Sequence, residues 1–139
     1  MNGIHRTILK ATGGRVGWSV AGMQVLELTT KGAKSGHPRT VMLTSPVQEG
    51  HAVVIVASRG GDDHHPGWYH NLRANPEVTA SLAGAPKTTM RARVANPDER
   101  ARLWPQVTSR VGQYANYQRK TSREIPLVIL EPVGGTTPA

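Results

Sequence analysis

The sequence predicts an α+β domain built on an antiparallel β-barrel with flanking helices. Short segments of alternating apolar and polar residues recur along the chain. Most are joined by links too short for the crossovers of a doubly wound parallel sheet. A well-capped helix interrupts the strand series late in the chain.

In order, residues 4–12 read as a short basic helix that ends at Gly13-Gly14, a C-cap pair. Residues 23–30 alternate, with Val25 set against Gln24 and Leu26 and Leu28 against Glu27 and Thr29, which is a strand pattern. Residues 31–38 form a polar turn with two glycines and a proline, and 39–45 return as a second strand of a hairpin. Residues 52–57 (Ala-Val-Val-Ile-Val-Ala) are apolar at every position. The run is short and β-branched, so a strand covered on both faces explains it better than a helix.

Pro66 opens a helix to about residue 74, stopped by Asn75-Pro76. Residues 78–82 alternate again, and Ala85-Pro86 turns the chain into a strand over 88–94. Asn96-Pro97-Asp98-Glu99 combines a favoured N-cap, proline at the first helical position and glutamate where a capping box needs it. That helix runs to about 111, a further helical segment covers 114–122, and 126–130 is the closing strand. The expected organisation is an N-terminal helix and linker over 1–22, a barrel domain over 23–132 and a flexible tail over 133–139.

Totals bound what such a domain does. At 139 residues it is long enough for a core without staples. The absence of cysteine excludes thiol catalysis, iron–sulfur ligation and disulfides. Residues 1–14 hold no apolar run of signal-peptide length, and no segment approaches the ~20 apolar residues of a membrane span. The expectation is a cytoplasmic protein whose only membrane contact is peripheral, through the basic N-terminal helix. A net charge of +8 favours nucleic acid, anionic lipid or a ligand rich in phosphate and carboxylate. Phenylalanine is absent and aromatics are 4% of residues, which weighs against the stacking platforms of single-strand binders.

Four places carry chemistry. Lys31-Gly32-Ala33-Lys34-Ser35-Gly36-His37-Pro38-Arg39 concentrates cations, a hydroxyl and glycines in one hairpin turn, as a phosphate site or as a plain solvated basic turn. It is not a Walker A loop, because the glycine spacing is wrong and a strand follows it. Ser58-Arg59-Gly60-Gly61 follows the doubly buried strand, where glycines let a flat ligand or another backbone come close. Pro66-Gly67-Trp68-Tyr69-His70-Asn71-Leu72 opens a helix with free N–H groups, Trp68 and Leu72 one turn apart on its core face. Tyr114 and Tyr117, spaced i, i+3, share a helix face among polar neighbours that weaken a core reading. His64, His65 and His70 lack the spacing and carboxylate support of a zinc site and read as turn or surface histidines. No Gly-x-Ser-x-Gly elbow or Gly-x-Gly-x-x-Gly fingerprint is present.

Taken in order, these segments, with Asn75-Pro76, Tyr114-Ala115-Asn116-Tyr117-Gln118 through Thr121 and Arg123-Glu124-Ile125-Pro126, resemble one family over about residues 6–132. It is the deazaflavin (coenzyme F420)-dependent nitroreductase family, the A class of actinobacterial F420-dependent oxidoreductases. The resemblance implies a split β-barrel related to the FMN-binding pyridoxamine-phosphate oxidases. It implies coenzyme F420, whose phosphate and glutamate tail accounts for the positive charge without nucleic acid. By motif, Ala33, Lys34 and Ser35 with Arg39 are expected to hold phosphate and tail. Thr40, Val41, Met42, Leu43 and Thr44 are expected along the coenzyme, and Val56, Ala57, Ser58 and Arg59 beside its ring. Gly67, Trp68, Tyr69, His70 and Asn71 supply helix-start contacts. Tyr114 and Ser58 are the expected catalytic residues, and Thr44, Val111, Tyr114 and Tyr117 line the substrate pocket; no metal is implied.

The family often carries arginine where this chain has Ala33. Members that reduce nitroimidazoles can carry aromatics where it has Val111 and Thr44, so its substrate pocket differs from theirs. The implied reaction is hydride transfer to a small electron-poor acceptor: a quinone, a nitroaromatic or an α,β-unsaturated lactone such as a coumarin or aflatoxin. A monomer or weak homodimer is expected. The alternatives are an FMN-binding relative of the same fold and a non-catalytic basic binding module.

Overall fold

The computed structural model describes residues 19–20 and 23–133; the helix expected over 4–12 and the tail from 134 lie outside the described residues. Eight strands form one sheet, every pair antiparallel. They are β1 (Ser19–Val20), β2 (Met23–Lys31), β3 (Pro38–Ser45), β4 (Val47–Glu49), β5 (Ala52–Val56), β6 (Glu77–Leu82), β7 (Thr88–Val94) and β8 (Leu127–Pro132). The order is β1-β2-β6-β7-β8-β5-β4, with β3 also paired to β2. The described helices are α1 (Gly67–Ala74), α2 (Pro97–Arg110) and α3 (Gln113–Arg119).

The alternation read in residues 23–30 has a direct structural meaning. Leu26 and Leu28 pair with Leu43 and Val41 on β3 and with Leu82 and Ala80 on β6, so these side chains share the inner face of the curled sheet. They join Val78, Met90 and Ala92 and the α1 residues Trp68 and Leu72 in one core. Strand β5 serves two cores at once. Val53 and Ile55 enter the inner one, while Val54 and Val56 pack outward against Leu103 and Val107 of α2 and against Tyr114. Its pairing partner β8 divides in the same way, with Val128 and Leu130 inside and Leu127 and Ile129 outside. A strand covered on both faces needs no polar alternation, which is why residues 52–57 have none.

Strand β4 was not expected from the sequence, because Pro46 breaks the pattern after Ser45 and only three residues follow before the next turn. The buried Ser45 hydroxyl secures this corner. It donates to the Val54 carbonyl oxygen at 2.6 Å and accepts from Gln48 Nε2 at 2.9 Å. The two-residue β1 was not expected either.

The capping box forms as read: Asn96 Oδ1 accepts from Glu99 N and Glu99 Oε1 accepts from Asn96 N, each at 2.9 Å. Glu99 also takes a two-pronged bond from Arg93 of β7 at 2.6 and 2.7 Å, and Arg93 reaches Glu131 of β8 at 3.0 Å. The start of α2 is thereby bound to two neighbouring strands. These bonds, Arg93 first, hold the Glu99 carboxyl down from 4.5 to about 2.

Two outcomes follow. Asn96→Ala should cost about 1 kcal/mol, the usual loss for an N-cap, read from the urea midpoint at unchanged slope. Because the folded pKa of Glu99 lies below its unfolded value, its contribution is complete above pH 4.5 and disappears as pH falls towards 2. Thermal melts should therefore show wild type above Glu99→Gln at pH 6, the gap narrowing below pH 4.5 and closing only as pH approaches 2. A difference independent of pH would remove the carboxylate from this account.

Candidate active site

The end of β5, the start of α1 and α3 surround a cavity of about 480 Å3. Leu43 and Thr44 of β3, Val56 of β5, Ser58 and Arg59, Trp68 of α1, and Val111, Tyr114 and Tyr117 line it. The structure thus brings together residues drawn from four separated sequence segments. Gly60 and Pro66, parts of the loop and helix-start motifs, also line the cavity, as do Met23 and Gln113, which were not singled out from sequence. Met23 carried no local signal, since it meets Tyr114 across 91 residues of chain.

One wall is the loop leaving β5. Arg59, Gly60 and Gly61 have φ values of +46°, +63° and +83°, three successive residues in the left-handed region. For arginine this conformation costs roughly 1–2 kcal/mol, so the surroundings must impose it. Gly61 is needed for a further reason: a Cβ there would meet the Tyr117 carbonyl oxygen at 2.7 Å and its Cα at 3.0 Å. This close approach seats α3 on the loop. Lys120 Nζ adds a bond to the Gly60 carbonyl oxygen at 3.2 Å, and the Thr121 hydroxyl one to Asp63 Oδ1 at 2.7 Å.

Tyr114 corrects one sequence expectation. Its polar neighbours suggested a side chain outside the core, yet it is 8% exposed and belongs to the outer core with Met23, Leu103 and Ile125. Gln113 and Asn116 occupy the exposed remainder of the short helix. The phenol nevertheless lines the cavity, with its hydroxyl 3.7 Å from Met23 Sδ, a weak acceptor. Burial pushes its pKa above the ordinary value, with Thr44 bonding against that shift. A neutral O–H therefore persists across the physiological range. Tyr117 meets Tyr114 edge to face, ring centroids 6.1 Å apart.

The basic turn between β2 and β3 is exposed, and among the described residues Lys34 and Arg39 form no ion pair. Its backbone is held by α1. Asn71 Oδ1 accepts from Ala33 N at 2.9 Å, and Asn71 Nδ2 donates to Thr30 Oγ1 at 3.2 Å. Inside the turn, Ser35 Oγ accepts from His37 N at 3.1 Å. Asn71 is in these bonds a staple between helix and turn. Along β3, Thr40 bonds Thr29 through their hydroxyls at 2.9 Å, and the pleat sends Met42 to the face opposite Val41 and Leu43. Ala57 is fully buried, with its amide bonded to the Pro126 carbonyl oxygen.

At the helix start, a Cβ on Gly67 would meet nothing within 4 Å, so neither packing nor backbone conformation demands glycine there. Tyr69, which from sequence could equally sit half-buried, is buried and lies against His65, centroids 4.4 Å apart, away from the cavity lining. His70 is exposed. A larger cavity of about 910 Å3 opens elsewhere, between the β4–β5 and β6–β7 turns. None of the residues expected at the site lines it.

The fold is a split β-barrel. A general stress protein 26 relative of the pyridoxinephosphate oxidase family from Clostridium acetobutylicum shares the fold at 9% identity and TM-score 0.56, covering 92% of this chain and 84% of that one. The chain belongs to the F420H(2)-dependent quinone reductase family, whose description matches residues 2–132. It is 44% identical over 131 residues to an F420H(2)-dependent quinone reductase of Mycobacterium tuberculosis (strain ATCC 25618 / H37Rv), covering 91% of this chain and 87% of that protein. It is also similar to a solved F420-H2 dependent reductase (FDR-A), at 38% identity and TM-score 0.65, covering 77% of this chain and 93% of that one.

Two glycine exchanges separate strain from contact in the loop. Gly61→Ala should lower stability by about 1–3 kcal/mol, the range for overpacking, because the obstruction is backbone. Arg59→Gly should leave stability within about 0.5 kcal/mol of wild type, since relief of the left-handed strain offsets glycine's unfolded-state entropy. Urea denaturation reads both. A destabilised Arg59→Gly would mean that the side chain, not the backbone, anchors the loop.

Proposed function

We propose that this protein is an F420H2-dependent quinone reductase whose coenzyme ring occupies the 480 Å3 cavity and whose coenzyme tail runs along β3 to the Lys34 turn. The observation that carries this reading is the alignment of three features: the cavity, the strand leaving it and an unpaired cationic turn at that strand's far end. Leu43 to Arg39 is about 13 Å of extended strand, the span of an extended polyol chain and its phosphate. The open space before Gly67 and the accessible Ser58–Arg59 edge suit a flat ring system. The exposed cations Lys34 and Arg39 suit a polyanionic tail better than a single terminal phosphate does, which favours the deazaflavin coenzyme over FMN.

When bound, the coenzyme supplies a hydride, and the protein supplies position and electrostatics. Lys34, Ser35 and Arg39 hold the phosphate and tail, with Asn71 fixing the turn that carries them. Val56 to Arg59 border the ring, and Trp68 closes the cavity from α1. The wall formed by Thr44, Val111 and Tyr117 admits a planar acceptor. Tyr114 stays protonated and donates to the acceptor oxygen on which negative charge develops, while Ser58 orients that acceptor. Reduction of a quinone to the hydroquinone requires the hydride and one proton, which comes from the Tyr114 phenol or from water. Quinones are the acceptor class named for the M. tuberculosis relative; nitroaromatics and unsaturated lactones need the same hydride and proton and are extensions of this reading.

The test is anaerobic turnover of the reduced coenzyme with a quinone, a nitroaromatic and a coumarin, alongside binding of oxidised coenzyme and FMN. Expected are micromolar or tighter binding of the deazaflavin, weaker binding of FMN, and consumption of quinone. Retention of FMN with indifference to the deazaflavin would reverse the assignment. Tyr114→Phe should change the melting temperature little, because the ring stays in place and the hydroxyl gives up only a weak bond to Met23 sulfur and its interaction with Thr44. It should lower turnover of a coumarin-type acceptor on the order of 10²-fold, the low end for general acid catalysis. A quinone that takes its proton from water should lose less. Full turnover of coumarins by the variant would leave Tyr114 as wall only.

A further inference from the structure

Arg123 follows α3 and lies beneath the loop that leaves β5, half-buried and outside the cavity lining. All four of its side-chain bonds go to that loop and its continuation. Nε donates to the Asp62 carbonyl oxygen at 2.8 Å, Nη1 to that of Ala57 at 3.2 Å, and Nη2 to that of Ser58 at 2.7 Å. Nη1 also lies 3.0 Å from His65 Nδ1, which accepts while the ring is neutral. The residue is itself anchored: its amide donates to Thr121 Oγ1, and its carbonyl oxygen accepts from Gln118 Nε2 at 2.7 Å. Among the described residues no carboxylate pairs with it. A fixed planar fork is thus spent almost entirely on backbone carbonyl groups, which a flexible ammonium cannot match.

The loop it holds does not hold itself. Arg59, Gly60 and Gly61 all have positive φ, and the internal bonds are Gly61 N to the Ser58 carbonyl oxygen and Asp62 N to that of Arg59. Strained conformations of this kind persist only where the surroundings over-determine them. A trans peptide also sets its N–H opposite its carbonyl. With the Ala57 and Ser58 carbonyls turned to Arg123, the N–H groups of Ser58 and Arg59 turn the other way, and these two residues line the cavity. No backbone bond from either amide is formed among the described residues. A cation on the carbonyl side of a peptide also strengthens the donor on its N–H side.

We propose that Arg123 is a positioning residue for hydride transfer: by gripping the Ala57, Ser58 and Asp62 carbonyls it fixes the loop so that the Ser58 and Arg59 amides face the bound ring or acceptor. The proposal rests on the cavity being the coenzyme site. It assigns to the Arg123-Glu124-Ile125-Pro126 segment a task that neither its sequence nor its distance from the cavity suggests.

Arg123→Met and Arg123→Lys test it through hydrogen exchange of the coenzyme-free protein, coenzyme affinity and turnover. In Arg123→Met, amides of residues 58–62 should exchange about tenfold faster, with those of β5 and β8 unchanged. The coenzyme Kd should rise about tenfold and quinone kcat should fall, with Arg123→Lys recovering part of both because it regains one carbonyl contact. Near-UV circular dichroism of the tryptophans establishes that each variant is folded, and the lysine variant serves if the methionine variant is not. Unchanged loop exchange overturns the proposal. So does faster loop exchange with unaltered Kd and kcat, which would make the grip structural only. Wild type that binds no coenzyme would instead overturn the functional reading, while the exchange data would still report whether Arg123 holds the loop.

Discussion

The loop between β5 and α1 must run through three left-handed residues in succession, and the site depends on that path being held. A chain left to itself does not keep arginine at φ +46°. Here the path is imposed from outside by α3 and the segment after it. Gly61 lies against the Tyr117 backbone, Lys120 and Thr121 bond the loop, and Arg123 grips its carbonyls. The same α3 carries Tyr114 and Tyr117. The wall beside the expected ring and the wall beside the expected acceptor are therefore one mechanical unit, and a displacement of either moves both.

The far end of the site is built on a separate principle. The cationic turn is exposed and makes few contacts of its own, so Asn71 ties it to α1 through Ala33 and Thr30. Helix α1 in turn buries Trp68 and Leu72 in the inner core. The turn thus takes its position from the barrel interior, while Lys34 and Arg39, in no ion pair among the described residues, are exposed to meet an anion. Strand β5, packed on both faces, is the common support: the loop leaves from its end, and the Arg93–Glu99–Glu131 group secures α2, which covers its outer face.

What was legible in the sequence follows from range. Alternation in 23–30 and 78–82, the apolar run at 52–57 and the Asn96 capping box are local, and each became the element it implied. Strand β4 was hidden by Pro46 and by its length of three residues. Tyr114 was misjudged because a seven-residue helix shows polar neighbours on one side and a buried side chain on the other. The cavity segments were legible through their resemblance to a family, while Met23 was not, because nothing near it in sequence points to Tyr114. Arg123 stood in a motif but without a role, since its partners lie 58 to 66 residues earlier and are mostly backbone carbonyls, which every residue possesses.

The central claim is that the smaller cavity, not the larger apolar one near Met90, receives the deazaflavin ring. A crystal structure with the oxidised coenzyme tests this most directly. The ring should lie between the Val56–Arg59 edge and Tyr114, with the polyol chain following β3 and the phosphate at Lys34 and Ser35. A ring in the cavity lined by Leu82, Met90 and Pro132, with the Lys34 turn empty, would contradict the account.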